Sequence, residues 1–279
     1  MHFRFCSRVA CILCLLVSGL SFAQGIAETI WIPMQDAGLF AKREIQLEAT
    51  LYKPAGDGPF PIVIFNHGSS GGPIPAGYTE KAAGLASVLT VRGISLLVPM
   101  RRGRGKSDGG NGEEPSPCTV EGARQGVEYA SAALDATFDY LRKQSWVVLD
   151  KVVLAGHSRG GILSVIYAAE HPGVSIGVIN FSGGWKDDAC GPTDINIALL
   201  EAAARRPRFP SLFLYAQGDG FYSDASMHRY AQVFRAAGGD VDFKWFQLRN
   251  TNGHLLFQRA RSVWEGDVSA FLARIGASQ

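Results

Sequence analysis

Five short stretches of this chain carry side chains that could do covalent chemistry together. The sharpest is Gly156-His157-Ser158-Arg159-Gly160, a G-x-S-x-G pattern. Between a buried strand and a helix, that pattern holds a serine on a tight, strained turn with its hydroxyl exposed and a helix N-terminus behind it. A serine hydroxyl is a weak nucleophile until a base takes its proton. His254, in Asn252-Gly253-His254, follows the last expected strand and fits as that base. An acid must then orient the imidazole. Asp219, in Gln217-Gly218-Asp219-Gly220, follows the strand before it. The order Ser158, Asp219, His254 is the one this strand-turn-helix context requires.

Each residue has a plainer reading. Ser158 could simply cap the following helix. His67 and His157 sit inside glycine motifs, where a structural hydrogen bond is the usual role, and His171 and His228 read as surface residues. Asp224 looks like a first-turn acid after Ser223, and Asp187 and Asp188 follow an earlier strand. Two backbone N–H groups must also face the oxyanion of an acyl-transfer intermediate. Arg159 supplies one and Ser69, in His67-Gly68-Ser69-Ser70-Gly71, the other, with Ser70 as second choice. Trp185, Phe221 and Tyr222 follow strands and could line a substrate pocket, or could be packing.

These residues need a scaffold that brings strand ends together. Ile62–Phe65, Ile94–Val98, Val152–Ala155, Val174–Phe181, Leu212–Tyr215 and Phe243–Leu248 are short apolar runs. Helix patterns separate them, at Tyr78–Val91, Val120–Lys143, Ile162–Glu170, Ile195–Ala204 and Ala225–Ala236, and Val263–Ile275 closes the chain. Such alternation implies an α/β fold with a mostly parallel sheet covered on both faces. Thr29–Pro33 and Glu44–Tyr52 add an antiparallel N-terminal hairpin. Connections are short apart from 101–119, which leaves no room for a large lid domain.

The 279-residue chain begins differently. Arg4 and Arg8 precede an apolar run from Val9 to Leu20, and Ser21-Phe22-Ala23 follows. This is the layout of a signal peptide at 1–23, ahead of one domain at 24–279, and it implies a secreted or periplasmic protein without stable membrane insertion after cleavage. Arg4 and Arg8 are two of 27 basic residues; without them basic and acidic side chains number 25 each. A neutral mature chain suggests no nucleic-acid partner. Cys6, Cys11 and Cys14 leave with the leader, and Cys118 and Cys190 remain as a candidate disulfide at the rim of the cleft. No His, Cys or carboxylate cluster has metal-ligand spacing, so no metal or cofactor is expected. Gly105-Lys106-Ser107 resembles the end of a phosphate-binding loop, but Met100 stands where that loop needs glycine. The arginines of Arg101-Arg102-Gly103-Arg104 could meet an anionic substrate, but such groups more often brace a loop.

From Pro61 onward, the motifs His67-Gly68-Ser69-Ser70-Gly71, Arg101 to Ser107, Gly156 to Gly161, Gly218-Asp219 and Gly253-His254 resemble the α/β-hydrolase superfamily. Within it, the chain is similar to dienelactone-hydrolase-like and related esterase proteins. One departure stands out: dienelactone hydrolases use a cysteine nucleophile, and this chain has Ser158. The resemblance implies an α/β-hydrolase fold and a serine hydrolase acting on small or polymeric carboxylic esters, with oligomeric state open. The alternatives are a peptidase of the prolyl-oligopeptidase-like type, for which the short segment 24–60 offers no gating domain, and a non-catalytic binding protein on the same fold.

Overall fold

The computed structural model describes residues 26–37, 42–69, 77–110, 112–113, 117–191 and 194–278. Eight strands form one sheet: β1 (Ala27–Ala37), β2 (Lys42–Tyr52), β3 (Phe60–Asn66), β4 (Ser95–Pro99), β5 (Val147–His157), β6 (Gly177–Phe181), β7 (Pro210–Ala216) and β8 (Asp240–Phe246). Their order across the sheet is β1-β2-β4-β3-β5-β6-β7-β8. The hairpin β1–β2 and the pair β2–β4 are antiparallel, and every later pair is parallel. This is the α/β-hydrolase fold that the motifs implied.

The continuous apolar runs have a simple cause. Side chains alternate between the two faces of a strand, and both faces of this sheet are covered. Ile62, Ile64, Val152, Leu154, Phe213 and Tyr215 enter one core, against α2 (Val120–Leu141), α3 (Arg159–Glu170), α4 (Asp194–Ala204) and α5 (Asp224–Ala236). Val63, Phe65, Val153, Ala155, Leu212 and Leu214 enter the other, against α1 (Ala83–Thr90) and the C-terminal α6 (Leu256–Arg259) and α7 (Arg261–Arg274).

Boundaries differ from the sequence reading where polar groups intervene. Helix α1 starts at Ala83 rather than Tyr78. Thr79 Oγ1 donates to Glu48, Glu80 accepts from the Ala82 amide, and Ala82 has a φ of 47°, so the approach to the helix is held in another conformation. Strand β6 starts at Gly177 because Val174 closes a turn onto the His171 carbonyl. Strand β5 reaches back to Val147 through Asp150 and Lys151, polar residues at its rim that an apolar-run criterion passes over. The expected leader lies outside the described residues. Among those described, no helix is long and apolar enough to cross a membrane.

Candidate active site

Ser158 stands between β5 and α3 with φ 55° and ψ −124°, a conformation side-chain-bearing residues rarely adopt. Its neighbours hold it there. The Ser158 amide donates to the Phe181 carbonyl at 2.9 Å. A Cβ on Gly160 would lie 1.9 Å from the Asn66 carbonyl oxygen, and one on Gly156 would lie 2.2 Å from that of Gly160. Only glycine lets these backbones meet. Although Ser158 occupies the N-cap position of α3, its side chain makes no capping bond. The hydroxyl is therefore not used as a helix cap.

Asp219 follows β7 and has a fully buried side chain. Three N–H groups converge on its carboxylate. The Phe221 and Tyr222 amides donate to Oδ1 at 2.8 and 3.2 Å, and His254 Nδ1 donates to Oδ2 at 2.7 Å. Because Nδ1 faces an acceptor, Nε2 of His254 is left as the basic nitrogen. The Tyr222 ring packs beside this pair, its centroid 5.8 Å from that of His254. The Phe221 ring is 4.5 Å from the same imidazole. The rival acids are engaged elsewhere. Asp224 accepts from the Gly218 amide in the first turn of α5, and Asp188 accepts from Ser223 and Ser226.

Asn252 and Gln258 were not assigned from the sequence, whereas His157 makes the kind of structural hydrogen bond its glycine motif suggested. Asn252 Oδ1 accepts from both the Gly220 and His254 amides, at 3.0 and 2.8 Å, which ties the acid and base loops together. His157 Nε2 donates to the His254 carbonyl at 2.9 Å, and its Nδ1 accepts from Gln258. A glycine-flanked asparagine beside a candidate base is the signal that could have flagged Asn252; Gln258 offers none.

Gly68 packs against Ser158, since a Cβ there would sit 3.2 Å from that of Ser158. Ser69 is the next residue, half-buried, and Ser70 and Gly71 lie outside the described residues. Arg159 opens α3, and its Nε donates to the Trp185 carbonyl at 3.1 Å. Trp185 is buried, with the Arg159 guanidinium 5.5 Å from its ring, and Tyr222 is buried while Phe221 is half-buried.

The arginine loop braces the strand that precedes the Gly68–Ser69 turn. Arg101 pairs with Glu113 through Nε–Oε1 at 2.7 Å and Nη2–Oε2 at 3.0 Å, with both side chains at 2% exposure or less. Its Nη1 donates to the His67 carbonyl and its amide to His67 Nε2. Arg102 pairs with Asp36 and stacks on Tyr129. Cys118 and Cys190 form a disulfide with 5.3 Å between Cα atoms. Cys190 shares a 3₁₀ turn with Asp188, whose amide donates to the Phe221 carbonyl. The disulfide thus anchors the segment that abuts the acid loop. Among the described residues no group of His, Cys, Asp and Glu is arranged to hold a metal.

Burial pushes His157 down to about 3, helped by the neighbouring His254, and pushes His67 down to about 3, helped by Arg101. Burial alone would raise Glu113, but the Arg101 charge and hydrogen bonds override it and hold Glu113 at about 2. Below pH 6.5 the unfolded chain gains protons at both histidines that the native state refuses until about pH 3, and below 4.5 Glu113 acts in the same direction. Stability should therefore fall as pH drops from 6.5, by about 1.4 kcal/mol per pH unit for each histidine. Urea midpoints measured from pH 7 to 4 test this. His157→Gln should flatten the slope, and a midpoint constant across that range would contradict neutral buried imidazoles.

The sequence model of the dienelactone hydrolase family matches residues 48–268. This chain belongs to the dienelactone hydrolase family. No curated protein matches it in sequence. Among solved structures it is similar to the esterase Pf2001 of Pyrococcus furiosus (TM-score 0.63, 13% identity, 90% of each chain covered). It is also similar to Est1E of Butyrivibrio proteoclasticus with ferulic acid bound (TM-score 0.63, 17% identity, 84% of this chain and 97% of that one). A third is the acylaminoacyl peptidase of Pyrococcus horikoshii (TM-score 0.63, 15% identity, 91% of this chain and 42% of that one). At these identities the structural likeness shows the fold. The family match makes the chain a hydrolase.

Proposed function

We propose that this family member is a secreted carboxylic ester hydrolase that works through Ser158, His254 and Asp219 by an acyl-enzyme. The observation that carries the reading is the 2.7 Å hydrogen bond from His254 to buried Asp219, with the His254 carbonyl held by His157, the residue before Ser158 on its strained turn. His254 Nε2 takes the Ser158 proton as Oγ attacks the ester carbonyl. The Ser69 and Arg159 amides hold the oxyanion, and the proton passes to the departing alcohol. Water then repeats the sequence in reverse roles and frees the acid. Phe221, Tyr222 and Trp185 flank the acyl or alcohol groups. The leader at 1–23 directs the domain at 24–279 to the periplasm or outside the cell, where the Cys118–Cys190 bond persists.

The likeness to an acylaminoacyl peptidase gives peptide hydrolysis a second place, but that protein is more than twice the length this chain covers. A non-catalytic binding protein would lack a reactive serine. Fluorophosphonate labelling followed by peptide mass mapping separates these readings. Label on Ser158, with p-nitrophenyl acetate hydrolysis and no cleavage of acyl-peptide substrates, is the expected result. No label, or label on another residue, would overturn the assignment.

A further inference from the structure

The proposed ester chemistry needs the Ser69 N–H aimed at the oxyanion, and something must aim it. The buried imidazole two residues earlier does no acid–base work in that scheme, yet both of its ring nitrogens are engaged. Arg101, which follows β4, donates its amide to His67 Nε2 at 3.1 Å. On the other flank of the ring, Nδ1 lies 2.6 Å from the Gly68 carbonyl oxygen. A backbone amide can only donate, so it takes the ring's lone pair at Nε2 and leaves the N–H at Nδ1. Burial, helped by the Arg101 charge, holds His67 down at about 3, so the ring is neutral at working pH and has that one N–H to give. Nδ1 therefore donates to the Gly68 oxygen.

Among the described residues the one cis peptide bond is Gly58–Pro59, so the Gly68–Ser69 peptide is trans. In a planar trans peptide the C=O and the following N–H point in opposite directions. Strand β3, which His67 follows, lies between β4 and β5 in the sheet. Arg101 pins the imidazole on the β4 side, and Ser158 stands on the β5 side. The turn already touches that second side: a Cβ on Gly68 would lie 3.1 Å from His157 Nδ1 and 3.2 Å from the Ser158 Cβ.

We infer that His67 is a positioning residue for the oxyanion hole: its Nδ1–H holds the Gly68 carbonyl and so turns the Ser69 amide toward the oxyanion that forms at Ser158. This role rests on the ester-hydrolase reading above and deepens it. Without that hold the Gly68–Ser69 peptide is free to rotate, because Gly68 has no side chain to oppose the change. A tilted donor costs the charged intermediate more than the neutral ester, so the loss falls on the chemical step rather than on binding. The buried ion pair acts one step further out. Arg101 Nη1 donates to the His67 carbonyl at 2.8 Å, and Glu113 fixes the guanidinium, so the residue whose amide selects the imidazole tautomer is itself held.

Two substitutions separate the two ring contacts. In His67→Asn the carboxamide nitrogen sits one bond from Cγ, as Nδ1 does, and can still donate to Gly68, but nothing reaches the Arg101 amide. In His67→Gln the longer side chain can bring its oxygen to the place of Nε2 and accept from Arg101, but no N–H stands at the place of Nδ1. For p-nitrophenyl acetate, His67→Gln should lower kcat about 10- to 100-fold, less than outright deletion of an oxyanion donor, with KM within about twofold. The Ki of a trifluoromethyl ketone, whose adduct with Ser158 carries the oxyanion, should rise by the same factor. His67→Asn should regain most of the rate and of the ketone affinity. A role confined to bracing the arginine loop predicts the reverse order, since only glutamine keeps the Arg101 contact. If one variant does not fold, the other still decides. A loss of about 10-fold or more in His67→Asn, or His67→Gln at the wild-type rate or with an unchanged ketone Ki, would overturn the assignment. Wild-type protein that neither hydrolyses the ester nor binds the ketone would overturn the ester-hydrolase reading instead.

Discussion

Ser158→Ala is expected to lower kcat for a p-nitrophenyl ester by about 10⁵- to 10⁶-fold while leaving the fold intact. Removing the hydroxyl deletes the atom proposed to attack the ester. It leaves the backbone at φ 55°, which alanine must now hold, supported by the same Phe181 carbonyl and the same glycine contacts. If the three side chains act as one unit, as proposed, His254→Ala should cost nearly as much, and the double variant should be no slower than the slower single one. Asp219→Asn is the informative third member. Its amide would face His254 Nδ1 with N–H rather than a lone pair, or turn its oxygen toward His254 and lose both the Phe221 and Tyr222 amide bonds. A loss of about 10³- to 10⁴-fold is expected, smaller than for the nucleophile, because the base remains but in the wrong tautomer. Steady-state kinetics on purified variants with unchanged circular dichroism check the series. More than about 1% residual activity in Ser158→Ala would remove the serine from the mechanism.

Glu113→Ala should destabilise the protein by about 3–5 kcal/mol. The Arg101 guanidinium is 2% exposed and receives both carboxylate oxygens of a fully buried Glu113. Without the carboxylate, a positive charge remains out of water, with the His67 carbonyl as its remaining acceptor among the described residues. Arg101→Met should cost a similar amount for the opposite reason, a stranded carboxylate. The pair Arg101→Met with Glu113→Met should lose far less than the sum, since apolar side chains of similar size often replace a buried ion pair without penalty. Urea unfolding measures all three. A Glu113→Ala loss below about 1 kcal/mol would mean that water or another group already compensates the arginine. Because Arg101 also receives its position from His67, the single variants should slow ester hydrolysis beyond what lost stability explains, and the Met–Met pair should recover stability better than rate.

Much of the scaffold was legible because its causes are local. Runs such as Ile62–Phe65 and Val152–Ala155 must be covered on both faces, and glycines at 156 and 160 are demanded by backbones that nearly touch. The order of Ser158, Asp219 and His254 along the chain follows from strands that all point one way, so that their ends share one edge. Even the disulfide could be anticipated, since Cys118 and Cys190 are the two cysteines outside the expected leader and an oxidising compartment favours their pairing.

The tertiary structure decided what depends on direction rather than sequence position. Asp219 turns toward His254 while Asp224 and Asp188 are spent on neighbouring amides and hydroxyls, a choice set by loop geometry. Asn252 bridges two loops that are 32 residues apart, and His157 braces the carbonyl of a residue 97 positions away; no local pattern encodes such contacts. The partner of Arg101 was equally hidden, because Glu113 is one of many acids near the loop until folding buries it. Above all, Tyr222 reads in the sequence as an aromatic that could line a pocket. Folding packs its ring against Gly184 and His254 and brings its amide to Asp219, because the direction of a side chain is fixed by what surrounds it.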